Sequence, residues 1–166
     1  MYKMQKQLIE LPTIKLVGIT ARTNNALEMN ASTAKIGATI QQYFQNSVSE
    51  KIARRKTPGV TYCVYTEYES DVTGDYTYFI GEEVESFEDV SVDLKQLSIA
   101  NQRYIKFTTE PGSMPEVCIK AWHKIWSMSP ETLGGERSYI ADFEVYDERA
   151  SDLTQAVLDI YIGVKK

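Results

Sequence analysis

Glu144 sits in the segment Ala141-Asp142-Phe143-Glu144-Val145-Tyr146, two residues from Tyr146 and one from an apolar residue on either side. A second stretch, Leu158-Asp159-Ile160-Tyr161-Ile162-Gly163-Val164, again alternates apolar residues with a carboxylate and a tyrosine. Carboxylates interleaved with aromatic rings suit one chemistry above others, the holding of an organic cation. Coulomb attraction strengthens away from bulk water, and each ring face adds roughly 0.5–2 kcal/mol of cation–π energy. Flat rings also stack on flat ligands at little cost in side-chain entropy. Eleven tyrosines in one chain exceed what strand filling alone leads one to expect.

Other chemistries find little support. The chain holds one histidine, His123, and no Ser, Cys or carboxylate stands at a telling spacing from it. No glycine-rich phosphate loop and no metal-ligand cluster is present, so no cofactor is expected. Cys63 and Cys118 lie far apart in apolar patterns and read as free buried thiols. A net charge of −5, with only the short Lys51–Lys56 run as a basic cluster, argues against direct contact with nucleic acid. That run reads as a solvated loop. The opening MYKMQKQLIELPTIK lacks the apolar stretch of a secretory signal, and no segment approaches the ~18 apolar residues of a membrane span. A cytoplasmic protein without membrane contact is the expectation.

The elements that must position these residues follow from periodicity. Leu11–Ala21 reads as a strand, and Asn24–Asn46 turns to helical spacing through Ile36, Ile40, Tyr43 and Phe44, with Asn25 and Glu28 at its start. Val60–Glu67 and Tyr76–Val84 are strands, and Glu85–Ser98 is an acidic link. Gln102–Thr108 is the next strand. Ser113, Pro115 and Glu116 suggest a capping box ahead of a helix that buries Val117, Cys118, Ala121, Trp122, Ile125 and Trp126. Ser138–Lys166 supplies the last two strands.

Strand, helix, strand, strand is thus given twice, in one domain spanning 1–166 with halves at about 8–86 and 99–166. Phe79-Ile80-Gly81 matches Tyr161-Ile162-Gly163 at an offset of 82, which also sets Ile40 on Trp122, Phe44 on Trp126 and Tyr62 on Glu144. The expected fold is α+β: two β-α-β-β halves about a pseudo-two-fold axis, an antiparallel sheet, helices on one face and a ligand groove on the other. The face away from the core presents Tyr62 or Tyr65, Thr77 and Phe79, Tyr104, Glu144, Tyr146, Asp159 and Tyr161. From these come the candidate ligand-binding residues Glu144, Tyr161, Tyr146, Tyr62, Tyr104 and Phe79, with Trp122 from the second helix. No residue is assigned a catalytic role.

The segments Pro115-Glu116 to Trp126, Ile140–Tyr146 and Asp159–Lys165 together resemble the GyrI-like family, which includes the effector-binding domains of AraC-type and MerR-type multidrug-responsive activators. The resemblance implies the duplicated fold with a central groove for small molecules, often aromatic cations. It implies a pocket glutamate at Glu144, a terminal-strand tyrosine at Tyr161 and a helix tryptophan at Trp122. Ile162-Gly163 stands where the family commonly has an isoleucine–proline pair, and Arg22-Thr23-Asn24-Asn25 replaces its Gly-Pro-Tyr-like turn. A ligand-binding module is therefore expected, with no spare ~50 residues for a helix-turn-helix of its own. Pairing as a homodimer or with a separate regulatory partner stays open. Two alternatives remain: a hydrolase of strained electrophiles using the pocket glutamate, and a protein-binding module like the gyrase inhibitors.

Overall fold

The computed structural model describes residues 4–166, so Met1–Lys3 of the opening segment lie outside the described residues. Eight strands form a single antiparallel sheet: β1 Gln5–Leu11, β2 Ile14–Thr23, β3 Thr61–Thr66, β4 Tyr76–Glu83, β5 Lys95–Ile99, β6 Gln102–Thr108, β7 Arg137–Tyr146 and β8 Asp159–Val164. Two short helices, α1 (Asn25–Glu28) and α4 (Pro130–Leu133), accompany two longer ones, α2 (Ile36–Gln45) and α3 (Glu116–Trp126). The class is α+β, as the periodicities predict.

The strands lie in the order β1-β6-β8-β7-β3-β4-β2-β5. Exchanging β1 with β5, β2 with β6, β3 with β7 and β4 with β8 gives the same order read from the other end. At the centre, β3 pairs with β7, setting Cys63 beside Glu144 and Tyr62 beside Val145. Gly81 and Gly163 keep the offset of 82, but their partners in the neighbouring strands, Gly18 and Tyr104, are 86 apart. In β3 and β7 the offset is 79: Tyr78 and Ile160, 82 apart, are paired with Tyr65 and Glu144, so the counterpart of Glu144 is Tyr65 and not Tyr62, as the sequence offset predicts.

Two strands were not legible as such. β1 is a polar edge strand, Gln5–Leu11, mostly exposed, that pairs only with β6. β5 is five residues long, pairs only with β2, and occupies part of the stretch read as a link. Edge strands pack one side of the ladder and so carry a weak period-two signal. They also shape the sheet. β1 and β2 stand near opposite ends of it yet are joined by Pro12 and Thr13 alone, and Ala100 and Asn101 alone join β5 to β6. Connections this short require the sheet to curl until its two ends meet. Its inner face buries Leu16, Val64, Phe79, Tyr104 and Phe143.

Both long helices cover the outer face. α2 sets Tyr43 against Val17, Cys63, Tyr78 and Ile80, and α3 sets Val117, Ala121, Trp122 and Ile125 against Ile105, Phe107, Ile160 and Ile162. Their starts differ from the expected caps. Asn24, not Asn25, caps α1 by accepting from Leu27 N at 2.8 Å, and the Glu28 carboxylate reaches forward to accept from Lys35 N (2.8 Å) and Ile36 N (3.1 Å) ahead of α2. α3 begins after Pro115 with no side-chain cap; Ser113 contributes its carbonyl, accepting from Val117 N at 2.9 Å. Trp126, expected in the core, is 52% exposed at the end of α3.

Candidate functional site

β7 alternates its side chains between the two faces, and Asp142, Glu144 and Tyr146 fall on the helix side. α2 covers one end of that face and α3 the other, and side chains from both extend over the strip of β3 and β7, where Tyr43 of α2 packs with Cys63 and Trp122 of α3 reaches Glu144. Glu144 stands on this strip, beside Cys63 of β3 and Ile160 of β8, and is 3% exposed. Its carboxylate accepts from three neutral donors: Tyr65 Oη (2.9 Å) and Trp122 Nε1 (2.6 Å) on one oxygen, and Tyr146 Oη (2.5 Å) on the other. Among the described residues, no Lys, Arg or His forms an ion pair with it.

Burial, reinforced by the charge of Glu144, pushes the Tyr65 and Tyr146 hydroxyls well above their ordinary pKa. Both therefore keep their protons and remain donors. The same causes, burial first and Glu144 second, raise the thiols of Cys63 and Cys118. A thiol held protonated in this way is a poor nucleophile.

Asp142, two residues earlier on the same face, is a contrasting case. It is fully buried but accepts from Arg137 Nη2 (2.6 Å), from the Tyr68 hydroxyl and from Gly163 N (2.8 Å). A bulge between Arg137 and Asp142, with Tyr139 at φ 54°, brings the arginine round to it. The Gly163 amide is also the group a proline would lack, so this chain's departure at Ile162-Gly163 has a use. Asp142 is paired within the fold; Glu144 is not.

Above Glu144 the two helices leave a cavity of about 710 Å³. Cys63, Tyr65, Tyr78, Glu144 and Tyr146 form its floor, Ile36, Ile40 and Phe44 of α2 one wall, and Cys118 and Ile119 of α3 the other. The segment after β7 adds Asp147, Glu148 and Leu153 at the rim. Three carboxylates thus line it, with no Lys, Arg or His among the described residues. A smaller cavity of about 230 Å³ adjoins it, sharing Ile36, Tyr65, Cys118 and Ile119. The groove lies between the helices, on the face they cover, and not on the opposite face, which the curl of the sheet buries.

Of the residues singled out by type, Glu144, Tyr146 and Trp122 are brought together. Tyr62, Phe79, Tyr104 and Tyr161 are placed on the inner face, around Phe143, away from this cavity. The register explains it: Phe143 is paired with both Val64 and Tyr161, and Val64 with Phe79, whereas Glu144 is paired with Cys63 and Ile160. A tyrosine one residue out of phase is on the other side of the sheet. Tyr161 stacks on Phe143 at 4.6 Å and Tyr104 meets both edge-on, which makes them a packed aromatic core. Sequence reasoning left Tyr65 as an alternative to Tyr62, and omitted Cys63, Tyr78 and Cys118. Counting by twos from the residue opposite Glu144 would have found Cys63 and Tyr65, had the β3–β7 register been known.

Among the described residues no group of three or more His, Cys, Asp or Glu could hold a metal ion, and no helix is long and apolar enough to cross a membrane. Comparison with known proteins adds a family. Residues 7–164 match the model of Cass2, described as integron-associated effector binding protein. YobU of Bacillus subtilis (strain 168), whose name proposes a role in transcriptional regulation, is 27% identical over 152 residues, 92% of each chain. An integron cassette protein from the mobile metagenome of Vibrio cholerae superposes with a TM-score of 0.77 at 27% identity, covering 96% of this chain and 95% of that one. SAV2435, solved bound to tetraphenylphosphonium, shares the fold at 20% identity with a TM-score of 0.75, covering 97% of this chain and 94% of that one.

Proposed function

This chain belongs to the Cass2 family of integron-associated effector-binding proteins, and from that membership we propose that it binds amphipathic or aromatic cations, with Glu144 as the charge that selects them. The observation that carries the reading is a carboxylate 3% exposed, held by three neutral donors and given no cationic partner, at the floor of an apolar and aromatic cavity. Removing an anion from water costs several kcal/mol, and hydrogen bonds alone repay only part of it. A ligand cation supplies the missing charge. Tyr65, Tyr146 and Trp122 keep the carboxylate aimed, and Tyr65 and Tyr146, which line the cavity, offer their rings to the same cation. Glu148 at the rim adds a negative charge that draws cations inward, whereas Asp147 beside it is neutralised by Arg149 at 2.9 Å.

The binding of tetraphenylphosphonium by SAV2435 agrees with this reading. Each ring of such a ligand needs apolar wall, and Ile36, Ile40, Phe44 and Ile119 provide it. The acidic chain, at −5, favours a module that reads the ligand and leaves any nucleic-acid contact to a separate partner. The test is a titration followed by tryptophan fluorescence, since Trp122 touches Glu144 directly. Tetraphenylphosphonium should bind with a Kd on the order of micromolar, and neutral triphenylphosphine oxide at least about tenfold more weakly. Equal binding of the two would sink the proposal.

A further inference from the structure

The smaller cavity is lined on several sides by aromatic rings. Tyr65, Tyr68, Tyr76, Trp122 and Trp126 all border it. Their neighbouring centroids lie 5.3 Å (Tyr65–Trp122), 5.8 Å (Tyr65–Tyr76) and 6.0 Å (Tyr68–Tyr76 and Trp122–Trp126) apart. Its charges are already spoken for. Glu28 accepts from the Thr23 hydroxyl and two amides before α2, and Arg137 is bound to Asp142. Glu28, like Glu144, has no cationic side-chain partner among the described residues, but it is only part-buried and its oxygens are taken up by the two amides that open α2, so it is a weaker anchor for a cation. His123, also on the border, packs its ring against Trp126 at 5.6 Å.

The partition between the cavities is made of the groups that hold Glu144. Tyr65 lines both sides while donating to the carboxylate, and Trp122 donates to it from a ring that lines the smaller cavity. Ile36 and Ile119, from opposite helices, border both. A ligand seated over Glu144 therefore has a continuous apolar route into the aromatic box.

We infer that the smaller cavity is a second subsite, which takes a flat, uncharged aromatic group tethered to the cation held over Glu144. The groove then reads two-part ligands: charge is recognised in the larger cavity and a planar tail in the smaller. A single compact cation fills only the first. The inference rests on the cation reading for the head group alone; the tail is argued from the box itself.

Three probes test it: methyltriphenylphosphonium, the same cation carrying a methylene linker capped with methyl, and the same cation and linker capped with naphthyl. Linkers of increasing length are compared by calorimetry. At the best length the naphthyl probe should bind about tenfold tighter than its methyl-capped twin. Trp126→Ala, at a half-exposed position bordering the smaller cavity and not the larger, should erase that gain and leave the methyl-capped probe unchanged. Nuclear Overhauser contacts from naphthyl protons to Tyr76 would place the tail. Equal affinity of the two capped probes at every length overturns the inference, as does a gain that survives Trp126→Ala. Glu144→Gln separates the two readings: it should weaken both capped probes by one common factor. If it weakens neither, the head-group reading fails, and the naphthyl gain still decides the tail.

Discussion

Replacing Glu144 by glutamine removes a charge and almost nothing else. Trp122 Nε1 and Tyr65 Oη both point at one carboxylate oxygen, which the amide oxygen can replace. The amide nitrogen then faces Tyr146 Oη, whose hydroxyl can turn to accept instead of donate. All three contacts survive, and a buried anion without a counter-charge is gone. The variant should therefore melt no lower than the wild type. Its ligand binding should fall sharply. With the cation centre ~5 Å from the carboxylate and an effective dielectric of ~20, the lost attraction is about 3 kcal/mol. Allowing for residual attraction to the amide oxygen, the net loss is about 2–3 kcal/mol, or roughly 30- to 150-fold in Kd. Calorimetry with tetraphenylphosphonium and with triphenylphosphine oxide measures both arms. The neutral ligand should be indifferent to the change. A cation affinity within about threefold of wild type, or an equal loss for the neutral ligand, would refute the electrostatic argument.

Three further perturbations probe the scaffold. Arg137→Ala leaves Asp142 fully buried beside an absent partner, and removal of one member of a buried pair costs about 3–5 kcal/mol, to be read from the urea midpoint. Gly18→Ala would place a methyl 2.0 Å from the Ile80 carbonyl oxygen, where β2 crosses β4 at the Gly18–Gly81 pair; the soluble yield should collapse unless the strands separate. Alkaline pH supplies the third. Burial is the main cause that pushes Tyr76, Tyr104 and Tyr161 up to about 12, and Tyr65, Tyr68, Tyr78 and Tyr146 well above 10. The folded state holds these protons longer than the unfolded chain, so stability is constant below pH ~10 and falls above it, by up to about 1.4 kcal/mol per pH unit for each such group. The tyrosinate absorbance of these seven should accordingly appear in one cooperative step with unfolding, and a gradual titration near pH 10 amounting to most of the eleven tyrosines in the folded protein would contradict the burial described.

How much of this the chain reveals depends on where each residue's environment is decided. Local alternation was enough to place Glu144 and Tyr146 on one face of β7, and helical spacing was enough to bring Trp122 to the inside of α3. The face shared by residues of different strands is decided by register, which is a property of the pairing. Tyr161 lies in a strand adjacent to Glu144, but Glu144 is paired with Ile160, so the tyrosine turns inward. The assumption that one face of each strand is core and the other is site also fails here. The curl of the sheet buries the inner face and the helices cover much of the outer one, so both faces of β7 and β8 are enclosed. Alternation of polar and apolar residues then marks specific buried partners, as at Asp142, instead of exposure. Finally, β1 and β5, which cause the curl, carry the weakest local pattern of any strand.

Asp142 and Glu144 together make the strongest case for function. They are two residues apart, on one face of one strand, and each is almost fully removed from water. The fold shows with Asp142 how it secures a buried carboxylate for its own purposes: a bulge in β7, an arginine at 2.6 Å and a backbone amide. Nothing of the kind reaches Glu144, which has two phenols and an indole, groups able to orient an anion without neutralising it. A structural residue in that position has no need of charge, because glutamine can meet the same three groups and avoids the desolvation cost. The carboxylate is useful where a second charge arrives from outside, and the cavity of about 710 Å³ directly above it is where that charge can sit.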